Sequence, residues 1–257
     1  VAGITVLITS KANPRFKALR EEIAAVGGKR IRTLLLGEKL IEAWRDAQGT
    51  AAERFVPERW LRLEGAAPHP LEQALGLDAL VLGEALMRDL AEAASPPCHA
   101  LVGNLRPEHG GALPARVVGA WGIQDPGNLG ALLRAAAAFG FQEALLGPGT
   151  ADPFHPKALR GSMGAAFLIP TRRCAEIPVD EGRWYALDAT SGAIEIDQAD
   201  LSEPLRLIVG NEGHGWTQME VPESVRRLAI PTVGVESLNA AVAAGVACYE
   251  AARRRKP

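Results

Sequence analysis

Along this chain, short unbroken apolar runs alternate with stretches whose apolar residues recur every three or four positions. That is the pattern of strands alternating with helices. Thr33-Leu-Leu-Leu36, Arg54-Phe-Val56 and Ala79-Leu-Val-Leu82 read as strands. Asn13-Pro14 reads as an N-cap followed by the first helical residue, opening a helix that runs to about Val26 and stops at Gly27-Gly28. A helix from Glu38 to about Ala47 carries Leu40, Ile41 and Trp44 on one face, and one from Glu84 to about Ala94 carries Leu86, Leu90 and Ala93. From Asn104 to Pro114 the apolar period is lost and the chain turns Pro/Gly-rich and polar, which reads as a linker.

The alternation then resumes. Strands are expected at Arg116 to Ile123, Glu143 to Leu146, Trp184 to Asp188, Leu205 to Gly210 and Arg227 to Pro231. A helix from Leu129 to Phe139 sets Leu129, Leu132, Leu133, Ala136 and Phe139 toward a core and ends at Gly140. A short helix at Lys157 to Met163 and a last helix from Asn239 to about Arg254 complete the pattern. The whole predicts an α/β protein with a smaller N-terminal α/β domain over 1–104, a linker over 105–115, and a domain built on a mainly parallel sheet over 116–257.

Length and composition agree with two soluble domains: 257 residues, 47% hydrophobic, 23% charged. No apolar run is long enough to span a membrane and no cleavable signal pattern is present, so a cytoplasmic protein is expected. Cys98, Cys174 and Cys248 form no C-x-x-C pair and are expected to be buried reduced thiols. The histidines lack metal-ligand spacing, so no metal is expected. A net charge of −2 excludes a uniformly basic coat. Charge is nevertheless local: Lys11, Arg15, Lys17, Arg20, Lys29 and Arg30 crowd one N-terminal segment, enough to hold phosphates.

Three segments combine glycine, amide and charge. Asp125-Pro-Gly-Asn-Leu-Gly130 opens a helix that carries Asn128 and, beyond its core stripe, Arg134. Asn128 reads by itself as an N-cap. Gly210-Asn-Glu-Gly-His-Gly215 follows a strand, and glycines there permit tight turns and close backbone approach to a ligand at the carboxyl end of a sheet. Glu236-Ser-Leu-Asn239 runs into a helix made almost wholly of Ala, Val and Gly. Gly147-Pro-Gly149 lacks the third glycine of a dinucleotide fingerprint and reads as a turn.

Taken together, these segments resemble, in order and spacing, the three motifs of the SpoU/TrmH family of RNA ribose 2'-O-methyltransferases. The residues that match are Asn128, Gly130, Arg134, Ala136, Phe139 and Gly140; Gly210, Asn211, Glu212, Gly213 and Gly215; and Ile230, Pro231, Gly234, Ser237, Leu238 and Asn239. Arg160-Gly-Ser-Met-Gly164 matches a further family segment, and Thr9-Ser10, Asn13-Pro14 and Lys17 resemble the opening of the rRNA-modifying branch. Thr232 and Trp216 depart from the pattern, which bears on the shape of the pocket.

The resemblance implies a C-terminal domain with a deep trefoil knot, a homodimer formed through it, and S-adenosyl-L-methionine as cofactor. Ala189, Thr190, Ser191, Val209, Gly210, Asn211, Glu212, Gly213, Ile230, Pro231, Ser237, Leu238 and Asn239 would hold the cofactor. It also implies catalysis by Arg134 with Asn128, Glu212, Ser237 and Asn239, and RNA contacts from the N-terminal cluster and Arg160. The favoured substrate is 23S ribosomal RNA. The alternatives are a tRNA, an antibiotic-resistance site in ribosomal RNA, or a non-catalytic RNA-binding role in ribosome assembly. A nucleotide-binding Rossmann enzyme is disfavoured by the incomplete fingerprint.

Overall fold

The computed structural model describes residues 6–24, 32–47, 51–92, 94–106, 110–190, 192–211, 216 and 221–255. Ser191, Glu212, Gly213, Lys29 and Arg30 lie outside them.

The N-terminal half comprises β1 (Val6–Ile8), α1 (Pro14–Ile23), β2 (Arg32–Leu36), α2 (Glu38–Asp46), β3 (Phe55–Leu63), α3 (Pro70–Ala74), β4 (Ala79–Leu82), α4 (Glu84–Ala91) and β5 (His99–Leu105). Its sheet runs β1-β4-β3-β5-β2. β4 is parallel to β1 and β3, while β5 is antiparallel to β2 and β3. Asn13 caps α1 as expected, accepting from the Arg15 amide at 2.9 Å. That helix ends at Ile23, short of Val26, and α4 ends at Ala91 because Glu92 turns into the left-handed region at φ 47°.

The C-terminal half comprises β6 (Arg116–Ala120), α5 (Pro126–Ala138), β7 (Glu143–Leu146), α6 (Pro156–Ser162), β8 (Thr171–Arg173), β9 (Arg183–Leu187), β10 (Ile194–Glu195), β11 (Leu205–Val209), β12 (Arg226–Ala229) and α7 (Ala240–Arg253). Every pairing in its sheet, β10-β12-β9-β11-β6-β7-β8, is parallel. β6, β7 and β11 are buried throughout, as strands covered on both faces must be. The N-cap of α5 is Asp125, not Asn128: its carboxylate accepts from the Asn128 amide at 2.9 Å. Leu129, Leu132, Leu133 and Ala136 are buried as expected, and Gly140 at φ +75° ends the element. Gly130 lets α5 and α6 touch, since a Cβ there would fall 2.3 Å from the Ala158 carbonyl oxygen.

The two halves share one hydrophobic cluster. Leu35, Trp44, Phe55, Trp60 and Leu101 of the first join Phe154, Phe167 and the core of the second. Edge contacts carry the aromatics across, with Trp44 on Phe55 at 5.6 Å and Phe55 on Phe167 at 6.4 Å between ring centres. Polar contacts fix the seam: Thr33 Oγ1 donates to the Phe154 carbonyl at 2.6 Å, and Arg54 Nη1 to Thr171 Oγ1 at 2.8 Å.

Of the cysteines, only Cys248 is buried; Cys174 is half-buried and Cys98 exposed, which corrects the expectation for those two. Burial pushes the Cys248 thiol up to about 12, so it stays a packing group. No helix among the described residues is long and apolar enough to cross a membrane. No group of metal-ligating side chains gathers among them either.

Candidate active site

β9, β11 and β12 are neighbours and point the same way, so the loops leaving their carboxyl ends meet. A cleft of about 240 Å³ opens there. Its floor is the strand ends, Leu187, Val209 and Leu228. Its walls are Asp188-Ala189, Gly210-Asn211, Ile230, and the turn over 236–238. Ala240 and Ala243 of α7 close it. Small residues on that helix let it lie against the cleft without filling it.

Of the residues expected to hold a cofactor, Ala189, Val209, Gly210, Asn211, Ile230, Ser237 and Leu238 line this cleft. Thr190, Pro231 and Asn239 are not among its lining residues. Asn239 instead caps α7, its Oδ1 accepting from the amides of Ala241 at 3.0 Å and Val242 at 3.3 Å. Asn211 braces the rim, its Nδ2 donating to the Gly122 carbonyl at 2.8 Å. The two departures from the family pattern have defined places. Thr232 lines the cleft and donates to the Val235 carbonyl at 2.8 Å. Trp216 is buried and donates from Nε1 to the Leu187 carbonyl at 2.8 Å, behind the floor.

Two acidic residues of the cleft, Asp188 and Glu236, are read from the sequence only as a strand end and as part of a polar segment, with no role in a site. Asp188 is anchored by Arg227, 3.2 Å away, and by the Thr190 amide at 3.2 Å. No Lys, Arg or His is among the lining residues described. Such a cleft suits a ligand with exposed positive charge.

Beside the cleft, Asn239 Nδ2 donates to Asn128 Oδ1 at 3.3 Å, joining the first helix of the C-terminal half to the last. Asp125, at the start of α5, is paired with Lys157. The hydrogen bond from Lys157, with the Asn128 amide behind it, holds that carboxyl below its usual range. Arg134 lies six residues past Asn128, about 9 Å along the helix. It is exposed and makes no hydrogen bond or ion pair among the described residues. Around it the exposed surface of the helix pair is small or apolar: Ala131 on α5, and Val242, Val246 and Tyr249 on α7.

The N-terminal candidates are less uniform. Lys11, Arg15, Lys17 and Arg20 are all exposed at or on α1. Lys11 and Arg20 both reach Asp89, the latter at 3.6 Å, while Arg15 and Lys17 make no ion pair among the described residues. Arg160 is turned to the seam, its Nη1 donating to the Ala91 carbonyl at 2.9 Å.

Residues 115–249 match the SpoU rRNA Methylase family. The chain belongs to that family. A curated relative, the 23S rRNA (guanosine(2553)-2'-O)-methyltransferase RlmP of Bacillus subtilis (strain 168), is 34% identical over 222 residues, covering 84% of this chain and 86% of that one. An uncharacterized tRNA/rRNA methyltransferase of Synechocystis is 28% identical over 96% of this chain and 94% of its own length. Among solved structures, an RNA 2'-O ribose methyltransferase superposes with a TM-score of 0.76 at 28% identity, over 97% of this chain and 99% of that one. The AdoMet-bound rRNA methyltransferase of Sinorhizobium meliloti shares the fold at a TM-score of 0.76 and 24% identity, over 98% and 99% of the two chains.

Proposed function

We propose that the protein transfers the methyl group of S-adenosyl-L-methionine to a ribose 2'-hydroxyl of RNA, with 23S ribosomal RNA as substrate. The observation that carries this reading is the cleft at the strand ends, with Asp188 and Glu236 among its described lining residues, beside the Asn128–Asn239 contact in a chain of the SpoU family. The relative from Bacillus subtilis supports the choice of ribosomal RNA.

S-adenosyl-L-methionine supplies a methyl group already activated on a sulfonium. The chain's task is to place a weakly acidic hydroxyl in line with that methyl and to stabilise the charge that develops on its oxygen. Backbone at Ala189, Gly210 and Leu238 can bond the neutral parts of the cofactor, and Asp188 and Glu236 favour its positive charge. Glu212, Gly213 and Ser191 belong to the same loops and complete the proposed set. Arg134 is a poor candidate for a base, because a guanidinium stays protonated. It is well suited to clamp a phosphate and stabilise the ribose oxygen, with the proton passing to a phosphate or to water. Asn128, Ser237 and Asn239 hold that geometry.

The reading extends to assembly and organisation. Residues 116–257 form the methyltransferase domain, whose chain we take to be threaded as a trefoil knot through the loops around the cleft. Residues 1–104 form the RNA-binding domain, joined by a linker over 105–115, and contact RNA through Lys11, Arg15, Lys17, Arg20, Lys29 and Arg30, with Arg160 of the C-terminal half adding a further contact. The exposed Val242, Val246 and Tyr249 on α7 support a homodimer through that helix, which would bring Arg134 close to a partner's surface.

The deciding experiment incubates the protein with labelled S-adenosyl-L-methionine and unmodified ribosomal RNA, then maps the 2'-O-methyl position. Label in a single ribose is expected. Label absent from both ribosomal and transfer RNA, in a preparation that binds the cofactor, would sink the enzymatic reading in favour of an RNA-binding role.

A further inference from the structure

Two carboxylates are among the described lining residues of the cofactor cleft, and one of them is taken. Arg227 stands 3.2 Å from Asp188, which also accepts from the Thr190 amide at 3.2 Å. Glu236 is exposed and makes no hydrogen bond or ion pair among the described residues. A carboxylate left open in a ligand cleft is available to the ligand.

The backbone that carries Glu236 is fixed from both sides. Before it, Thr232 Oγ1 donates to the Val235 carbonyl at 2.8 Å across a turn in which Gly234 takes φ +78°. After it, Asn239 caps α7 through the amides of Ala241 and Val242. Glu236 stands three residues before Asn239, so their Cα atoms are within about 11 Å of each other. Asn239 Nδ2 in turn donates to Asn128 Oδ1 at 3.3 Å. Glu236 therefore lines the cleft on the side of the Asn128–Asn239 contact, where the function proposed above puts the ribose. The methyl must face that ribose, and the sulfur carries the methyl. The apolar strand ends of the floor, Leu187, Val209 and Leu228, suit the adenine ring instead.

We propose that Glu236 makes the cleft favour the sulfonium cofactor over its thioether product, by attracting the charge on sulfur that only the cofactor carries. In the transfer, the ribose oxygen bonds to the methyl carbon as the carbon–sulfur bond breaks. Sulfur keeps that electron pair and becomes neutral, and the hydroxyl proton leaves to a phosphate or to water. The attraction is present before transfer and gone after it, so spent cofactor is held less tightly than fresh. The ammonium and carboxylate of the methionine end are the same in both molecules and add nothing to the preference. The place of the sulfur beside Glu236 rests on the function proposed above.

The test is calorimetry without RNA on the native chain, Glu236→Gln and Glu236→Asp. The ligands are S-adenosyl-L-methionine, S-adenosyl-L-homocysteine, and sinefungin, which has an amine-bearing carbon in place of the methylated sulfur. Comparing charged and neutral ligands across the variants isolates this attraction from the other charges around the cleft. Glu236→Gln should weaken the cofactor and sinefungin about 3- to 5-fold, the scale of one partly screened ion pair, and leave the homocysteine product within about 1.5-fold. Glu236→Asp should keep part of the preference, and high salt should shrink the native preference toward that of Glu236→Gln. Melting temperature should stay native, because the side chain supports no contact among the described residues. Equal loss for all three ligands would assign Glu236 to the methionine ammonium or to the shape of the turn, and would overturn the proposal. Loss for S-adenosyl-L-methionine alone, no change in any ligand, or no binding by the native chain would overturn it too. A preference lost in Glu236→Gln supports the proposal even if the native protein transfers no methyl to RNA. A competent methyltransferase whose preference survives the substitution refutes it and leaves the proposed function standing.

Discussion

The N-terminal sheet runs its strands both ways and is flanked by a helix with scattered exposed cations, whereas the C-terminal sheet runs every strand parallel and gathers three strand ends around one acidic cleft. A parallel sheet sends all its departing loops to the same edge. Glycine turns and polar knuckles far apart in sequence therefore meet, and each is bound to one geometry. A mixed sheet divides its loops between two edges, and a cation on its surface can be exchanged for another nearby. On the function proposed above, recognition in the second half would depend on particular atoms, and in the first on charge.

The largest expected effect tests the first side of that contrast. Arg134→Ala should lose methyl transfer by roughly 10²-fold or more, the scale of a lost oxyanion donor, while cofactor affinity stays near native. Arg134→Lys should recover little, because the planar fork is gone. Single-turnover methylation and cofactor calorimetry on the same preparations decide it. Transfer at the native rate in Arg134→Ala would reduce this residue to surface.

Next in size is a packing change within the parallel half. Gly130→Ala brings a Cβ against the Ala158 carbonyl oxygen and to 2.8 Å from the Ser162 amide nitrogen. α5 and α6 must separate, at a cost of about 1–3 kcal/mol in chemical unfolding. Because the halves share one core, both should unfold together with a lowered midpoint. A native midpoint would show that the helices part freely.

A smaller effect is expected from the mixed half. Replacing both Arg15 and Lys17 with Gln should weaken RNA binding about tenfold and flatten its salt dependence by up to about two phosphates' worth, with cofactor affinity unchanged. Equal affinity at low and high salt would make α1 an ordinary solvated helix.

The same contrast governs how much could be read from the sequence. The C-terminal strands and helices were legible because their apolar runs are unbroken and their ends carry Pro, Gly and Asn. The N-terminal sheet was not. β3 extends to Leu63, well past the expected Val56, because Pro57 hides it; the strand absorbs the proline through a register shift against β5 between Pro57 and Arg59. β5 itself was missed, and its last residues, Asn104 and Leu105, were counted with the linker. Its seven residues do not alternate, since the first five are all buried. β8 and β10 have only three and two residues, too few to show a period. In the cleft, motif glycines and amides were assigned to the site while Asp188 and Glu236, though named in a strand end and a polar segment, were not, because one carboxylate by itself does not announce a pocket. The acidic lining exists only once the strand ends are brought together.

The smallest effect concerns acid, and it arises in the mixed half. His99 is buried on β5, its Nδ1 accepting from Trp60 Nε1 at 3.2 Å. His69 stands 5.2 Å away, centre to centre, and caps α3 by accepting from the Leu71 amide at 3.1 Å. Burial, and then the charge of His69, lower the affinity of His99 for a proton, and Glu38 and Glu72 only partly restore it. Proton uptake would also cost the bond from Trp60. A histidine with a depressed folded-state value adds stability that is fully present above its unfolded value near pH 6.5 and is lost as pH falls through the folded value. The unfolding midpoint should therefore drop between pH 7.5 and 5.5, by no more than about 1.4 kcal/mol per pH unit from this one group. His99→Gln, neutral throughout, should start lower and fall less over the same range. Parallel falls for the two proteins would move the acid sensitivity away from this histidine.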